Sequence, residues 1–141
     1  MEVKILLVDD HEIMRDVSRS FLEKQTGMEV VAEAVNGRTA IKLTRKFRPD
    51  VIIMDIIMPE LNGIDATRQI VEELPGTKVI ALSMHCECQM VLGMLEAGAS
   101  GYLLKDCVLE ELVLAVRAVL NNKTCLSSKL ERQGTFESGS E

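Results

Sequence analysis

No tryptophan occurs among the 141 residues, and the aromatic side chains amount to one tyrosine and three phenylalanines. That scarcity removes the stacking platforms on which bases of single-stranded nucleic acids rest. Positive charge is short as well: 16 lysines and arginines stand against 22 acids, a net charge of -6. Such a balance argues against a segment that grips a phosphate backbone electrostatically. The apolar runs are too short to cross a bilayer, and no signal-peptide pattern opens the chain. Four cysteines, Cys86, Cys88, Cys107 and Cys125, in a chain without secretory features are therefore expected as reduced thiols in a cytoplasmic protein with no membrane partner. What is present is ordinary for a globular domain: 47% hydrophobic and 27% charged residues, in a length sufficient for one core.

Short β-type runs alternate with helical stretches five times. The expected strands cover residues 4–8, 30–33, 51–54, 79–82 and 101–104. Ile13, Met14, Val17 and Phe21 are spaced for one face of a first helix. Asn36 can cap a second helix containing Ala40, Ile41 and Phe47. Ile64, Ile70, Val71 and Leu74 mark a third, stopped by Pro75-Gly76. A fourth runs from about Cys88 to Ala97 and is closed by Gly98, and a fifth follows Asp106 as N-cap through Val108, Leu112, Ala115, Val116 and Val119. Strict alternation of this kind predicts an α/β fold, a parallel sheet with helices on both faces. Residues 1–122 form this unit, and 123–141, rich in Asn, Lys, Ser, Gly and Glu, read as a linker or disordered tail.

In such sheets the functional groups gather beyond the carboxyl ends of the strands. Those ends carry Asp9 and Asp10, Asp55, Ser83 and Lys105. An Asp after a strand is, taken singly, more often a turn former, and a lone lysine there is a solvated surface group. The set is different. Two like charges about 4 Å apart repel by roughly 4 kcal/mol at an effective dielectric near 20, and nothing in a soluble core requires that. Oxygen ligands suit Mg²⁺, a lysine and a hydroxyl can neutralise phosphoryl oxygens, and a carboxylate can itself be the nucleophile.

The segments Val8-Asp9-Asp10-His11, Asp55-Ile56-Ile57-Met58-Pro59 with Asn62-Gly63, Ser83-Met84-His85 and Gly101-Tyr102-Leu103-Leu104-Lys105-Asp106 resemble the receiver domain of bacterial two-component response regulators. The last two look most like the NarL/FixJ branch, whose members carry a LuxR-type helix-turn-helix output domain. The resemblance covers about residues 1–122. It implies a doubly wound, flavodoxin-like (CheY-like) five-stranded parallel sheet of order 2-1-3-4-5. It also implies that Asp55 takes a phosphoryl group from a histidine kinase. Asp10, Asp55 and the Ile57 backbone carbonyl would bind Mg²⁺, with Asp9 acting through a coordinated water. Lys105 would pair with the phosphoryl group, Ser83 would swing toward it, and Tyr102 would change rotamer in response. The chain would be a signalling switch, not an enzyme, although it assists its own phosphorylation and dephosphorylation. In a full-length protein it would govern an output domain, DNA binding and transcription; that domain is absent from this sequence. One departure is Asp106, where many receivers have proline after the lysine.

Three other readings fit less well. An aspartate-nucleophile phosphohydrolase carries a second acid two residues after the nucleophile, where this chain has Ile57. A mononucleotide binder of the same topology needs a Gly- or hydroxyl-rich loop after the first strand, where Asp9-Asp10-His11-Glu12 repels phosphate. A phosphate-independent interaction module would not need the acid, Ser and Lys set. His85-Cys86-Glu87-Cys88 lacks the second ligand pair of a structural zinc site, so buried or redox-indifferent thiols are expected there. The cluster Arg45, Lys46 and Arg48 complements a helix dipole. On the fifth helix, Leu114 and Ala118 fall among Glu110, Glu111, Arg117 and Asn121, either as ordinary exposure or as a partner surface for a kinase, an output domain or a second receiver in a homodimer.

Overall fold

The computed structural model describes residues 2–107 and 109–127. Its elements are β1 (Val3–Val8), α1 (Glu12–Glu23), β2 (Met28–Ala34), α2 (Gly37–Phe47), β3 (Val51–Met54), α3 (Gly63–Glu73), β4 (Lys78–Ser83), α4 (Cys88–Ala97), β5 (Gly101–Leu104), α5 (Leu109–Leu120) and β6 (Cys125–Leu126). All strand pairs are parallel, in the order β2-β1-β3-β4-β5-β6. The first five strands follow the expected order, and the weaker, more polar β2 lies at the edge. No helix among the described residues is long and apolar enough to cross a membrane.

The pleat of the central strands divides the core in two. Leu6, Val8, Ile52, Met54, Val79, Ala81, Tyr102 and Leu104 face Ala40 and Ile41 of α2, Ala66 and Ile70 of α3, and Val91 and Met94 of α4. Ile5, Leu7, Val51, Ile53, Ile80, Leu82 and Leu103 face Leu22 of α1 and Leu112, Val113, Ala115, Val116 and Val119 of α5. Strands buried on both faces have no polar alternation, which is why they read as continuous apolar runs. The Asn36 side chain caps α2 by accepting from the Thr39 N–H at 2.8 Å, and Asn62 caps α3 through the Asp65 N–H at 3.0 Å. Gly98 closes α4 in the left-handed region at φ 112°.

Two expectations change. The apolar spacing of α1 is half right about its inner face: Met14 and Phe21 pack against the core, but Ile13 is 78% and Val17 45% exposed, while Ser18 and Leu22 are buried. Arg15 accounts for the rotation: its guanidinium reaches inward to Glu33 at 3.0 Å and to the Asp9 carbonyl at 2.7 Å. Arg19 joins it on Glu33, and these hydrogen bonds outweigh burial and hold the Glu33 carboxyl below its ordinary range. The second change concerns the segment after residue 122. Cys125 donates its N–H to the Ser100 carbonyl at 3.0 Å and Ser127 to the Tyr102 carbonyl at 2.9 Å, adding β6 to the sheet. A two-residue strand held by backbone pairing leaves no side-chain period to detect. Residues 128–141, the rest of the expected tail, and Val108 of the fifth helix lie outside the described residues.

Gly63 shows how tightly the end of β3 is packed. A Cβ there would lie 2.0 Å from the Asp55 carbonyl oxygen, whereas at Gly76 it would meet nothing within 4 Å. Gly63→Ala is expected to lower unfolding stability by about 1–3 kcal/mol, and Gly76→Ala to change it by less than about 0.5 kcal/mol. Urea midpoints of the two variants test the contrast.

Candidate functional site

The parallel register of β1 and β3 builds the site. Val8 is paired with Met54, and the Asp55 N–H donates to the Val8 carbonyl at 2.9 Å. Strands run roughly 4.8 Å apart, so the next residues, Asp9 and Asp55, emerge side by side. On the other flank, Ser83 pairs with Leu104 and the Lys105 N–H donates to the Ser83 carbonyl at 2.8 Å. Two strands away from β3, Lys105 still reaches the acids because its stem spans the end of β4. Its ammonium lies 2.8 Å from Asp9 Oδ2 and 3.3 Å from Asp55 Oδ2.

Asp9 and Asp55 are buried, whereas Asp10 is exposed at the rim. Asp55 Oδ1 accepts the Ile56 N–H at 2.8 Å, which orients the carboxylate and leaves Oδ2 toward Lys105. Burial, and next the charge of Asp9, push the Asp55 carboxyl above its ordinary range; Lys105 and the Ile56 N–H pull the other way. Oxygens of Asp9, Asp10 and Asp55 and a ring nitrogen of His11 all lie within 4.8 Å of one another. The oxygens are compatible with a hard divalent cation, whose charge would compensate two acids kept together. A cavity of about 250 Å³ opens over the cluster, lined by Asp10, His11, Asp55, Ile57, Met84, His85 and Lys105.

Ser83 and Tyr102 form a second layer. Ser83 is fully buried, and its Oγ accepts the His85 N–H at 3.0 Å. The Tyr102 ring is also fully buried, and its hydroxyl donates to the His85 carbonyl at 2.7 Å. Burial pushes the phenol up to about 12, with the Ser83 hydroxyl opposing. Both groups therefore hold the β4–α4 loop at the edge of the cavity. Leu114 and Ala118 are remote from this cluster, on α5, where Leu114 is 66% exposed and Ala118 half-buried.

His11 is the participant that sequence reasoning quoted without a role. Its Nδ1 lies 2.9 Å from Asp9 Oδ1, 3.3 Å from Asp10 Oδ1 and 3.4 Å from Lys105 Nζ. Its only signal in the sequence is adjacency to Asp10 at the N-cap of α1.

The raised Asp55 carboxyl fixes the sign of a pH effect. The native chain holds the Asp55 proton more tightly than the unfolded chain, so stability falls as pH rises from the ordinary carboxylate range through the raised native value. Asp55→Asn removes that penalty. Without divalent cation, it is expected to be more stable than wild type at neutral pH by on the order of 1 kcal/mol. The gap should close in acid, and urea unfolding across pH measures it.

Comparison with known proteins agrees with this geometry. The family model described as the response regulator receiver domain matches residues 5–117. The transcriptional regulatory protein LiaR of Bacillus subtilis is 40% identical over 128 residues, covering 91% of this chain and 61% of that protein. The transcriptional regulatory protein DegU of Brevibacillus brevis is 38% identical over 129 residues, covering 92% of this chain and 55% of its own length. The chain thus spans little more than half the length of these curated relatives. A crystal structure of a LuxR-family two-component response regulator from Aurantimonas sp. SI85-9A1 superposes with a TM-score of 0.91 at 36% identity, covering 100% of both chains. The fold, the acidic cluster at the strand ends and these likenesses converge: the chain belongs to the response regulator receiver domain family.

Proposed function

We propose that Asp55 accepts a phosphoryl group from a histidine kinase, and that its phosphorylation switches the face formed by α4, β5 and α5. The observation that carries this reading is the buried Asp55 carboxylate, oriented by the Ile56 N–H and set against the Lys105 ammonium. Asp55 supplies the attacking oxygen, and the bond from phosphorus to the donor's leaving group breaks as the acyl phosphate forms. Lys105 moves from its carboxylate partners to a phosphoryl oxygen. Asp10, Asp55 and the Ile57 carbonyl would hold Mg²⁺, with Asp9 acting through a coordinated water; the ion supplies charge neutralisation at the transferring group. Ser83 gives up the His85 N–H to reach the phosphoryl group. Tyr102 of β5, already buried against that loop, then changes rotamer with the β4–α4 segment, which links the strand ends to α4.

The chain promotes its own phosphorylation and dephosphorylation without being a turnover enzyme. Ile57 stands where a second acid would activate water, so the phosphoryl group is retained as a signal. The cytoplasm is the expected compartment. In a longer protein, the residues following the sheet would lead to a LuxR-type output domain that binds DNA and regulates transcription. Exposed Leu114, with Ala118 beside it on α5, supports a surface for a phosphorylation-linked homodimer.

Incubation with Mg²⁺ and acetyl phosphate is expected to add the mass of one phosphoryl group to the intact chain, and Asp55→Asn to abolish the addition. A wild-type chain that binds Mg²⁺ yet stays unmodified would sink the proposal. Leu114→Glu should leave stability within about 0.5 kcal/mol of wild type while weakening phosphorylation-dependent association measured by sedimentation. Unchanged association would remove Leu114 from the partner surface.

A further inference from the structure

Cys86 and Cys88 are both exposed, free thiols, which corrects the expectation of buried ones. They bracket Glu87, the N-cap residue of α4, whose backbone is extended at φ -60°, ψ 139°. Two residues flanking one such position have Cα atoms about 6.6 Å apart, given the rise and the three residues per turn of a polyproline-like backbone. That lies at the outer end of the span that a disulfide bridges, about 4.4–6.8 Å, so closure draws the two residues together and tightens the exposed loop. The other two cysteines differ. Cys107 and Cys125 are half-buried, and burial pushes the Cys107 thiol up to about 11, which suppresses its reactive thiolate.

We propose that Cys86 and Cys88 form an oxidisable dithiol that a hydroperoxide closes into an intrachain disulfide at the start of α4. One thiolate attacks the O–O bond, forming a sulfenic acid and expelling hydroxide from hydrogen peroxide. The second sulfur then displaces the sulfenic hydroxyl, which leaves as water, and the S–S bond forms. Two thiols are oxidised, one peroxide is reduced, and two waters result. A ring closed across a single residue is strained, so thiol reductants should reopen it readily.

The ring encloses Glu87, whose carbonyl accepts the N–H groups of Met90 and Val91 at 3.0 and 3.1 Å. One residue before it lies His85, whose carbonyl holds the Tyr102 hydroxyl at 2.7 Å. Closure therefore fixes the loop against which Tyr102 packs. Tyr102 is the sole tyrosine in a chain without tryptophan, so its emission reports that loop directly.

The test uses the full reduced chain treated with hydrogen peroxide, then alkylated under denaturing conditions, digested and weighed. The expected product is one peptide lacking two hydrogens, with Cys86 and Cys88 bridged, Cys107 and Cys125 alkylated, and a yield independent of protein concentration. Tyr102 emission should fall on oxidation and recover with dithiothreitol. Cys86→Ser and Cys88→Ser should each stop at a sulfenic acid trapped by dimedone, without reversible loss of emission. Full alkylation of Cys86 and Cys88, bridges between chains, or bridges to Cys107 or Cys125 would each overturn the proposal. None of these readouts needs phosphorylation of Asp55, so the dithiol stands or falls apart from that reading.

Discussion

Everything at the functional end of this domain depends on the parallel pairing of β1 with β3. The hydrogen bond from the Asp55 N–H to the Val8 carbonyl, at 2.9 Å, locks two carboxylates into adjacent positions. Their repulsion cannot relax by backbone movement, because both strands are buried between helical layers. It is met locally by Lys105, at 2.8 and 3.3 Å from the two acids. A one-residue slip would draw Asp50 or Asp55 between the helical layers, so the hydrophobic layers enforce the same register that the site requires.

Packing and electrostatics thus oppose one another at one point and agree elsewhere. The core specifies where the strand ends lie; the acids at those ends are strained by proximity and burial, as seen in the raised Asp55 carboxyl. Such tension suits a site whose occupancy changes charge. It sits beside a loop held by few contacts, the His85 carbonyl to Tyr102 and the His85 N–H to Ser83 among them. Asp55 and His85 line the same cavity, so a change in charge at Asp55 would meet that loop without a long route through the core.

Much of this was legible from residue order. The strand ends carrying Asp9, Asp10, Asp55, Ser83 and Lys105 follow from apolar runs, because strands covered on both sides have continuous hydrophobic sequences. The cap at Asn36 and the left-handed Gly98 are local, and local chemistry is readable. What failed to show was non-local. The inner face of α1 was masked because Ile13 and Val17 mimic a buried stripe, while Arg15, a charged residue, is the one turned inward by Glu33 eighteen residues away. β6 was hidden because two residues joined through their backbone amides carry no periodic signature.

The sequence alone determined the alternation of strands and helices, and with it which side chains end each strand, since both depend on periodicities of a few residues. Only the tertiary structure decided how those ends meet: that Lys105 leans closer to Asp9 than to Asp55, that His11 closes over the acids, and that Ser83 and Tyr102 bind the N–H and the carbonyl of His85. These are distances between groups far apart in the chain. They are set by strand register, burial and competing charges acting together, which no local pattern encodes.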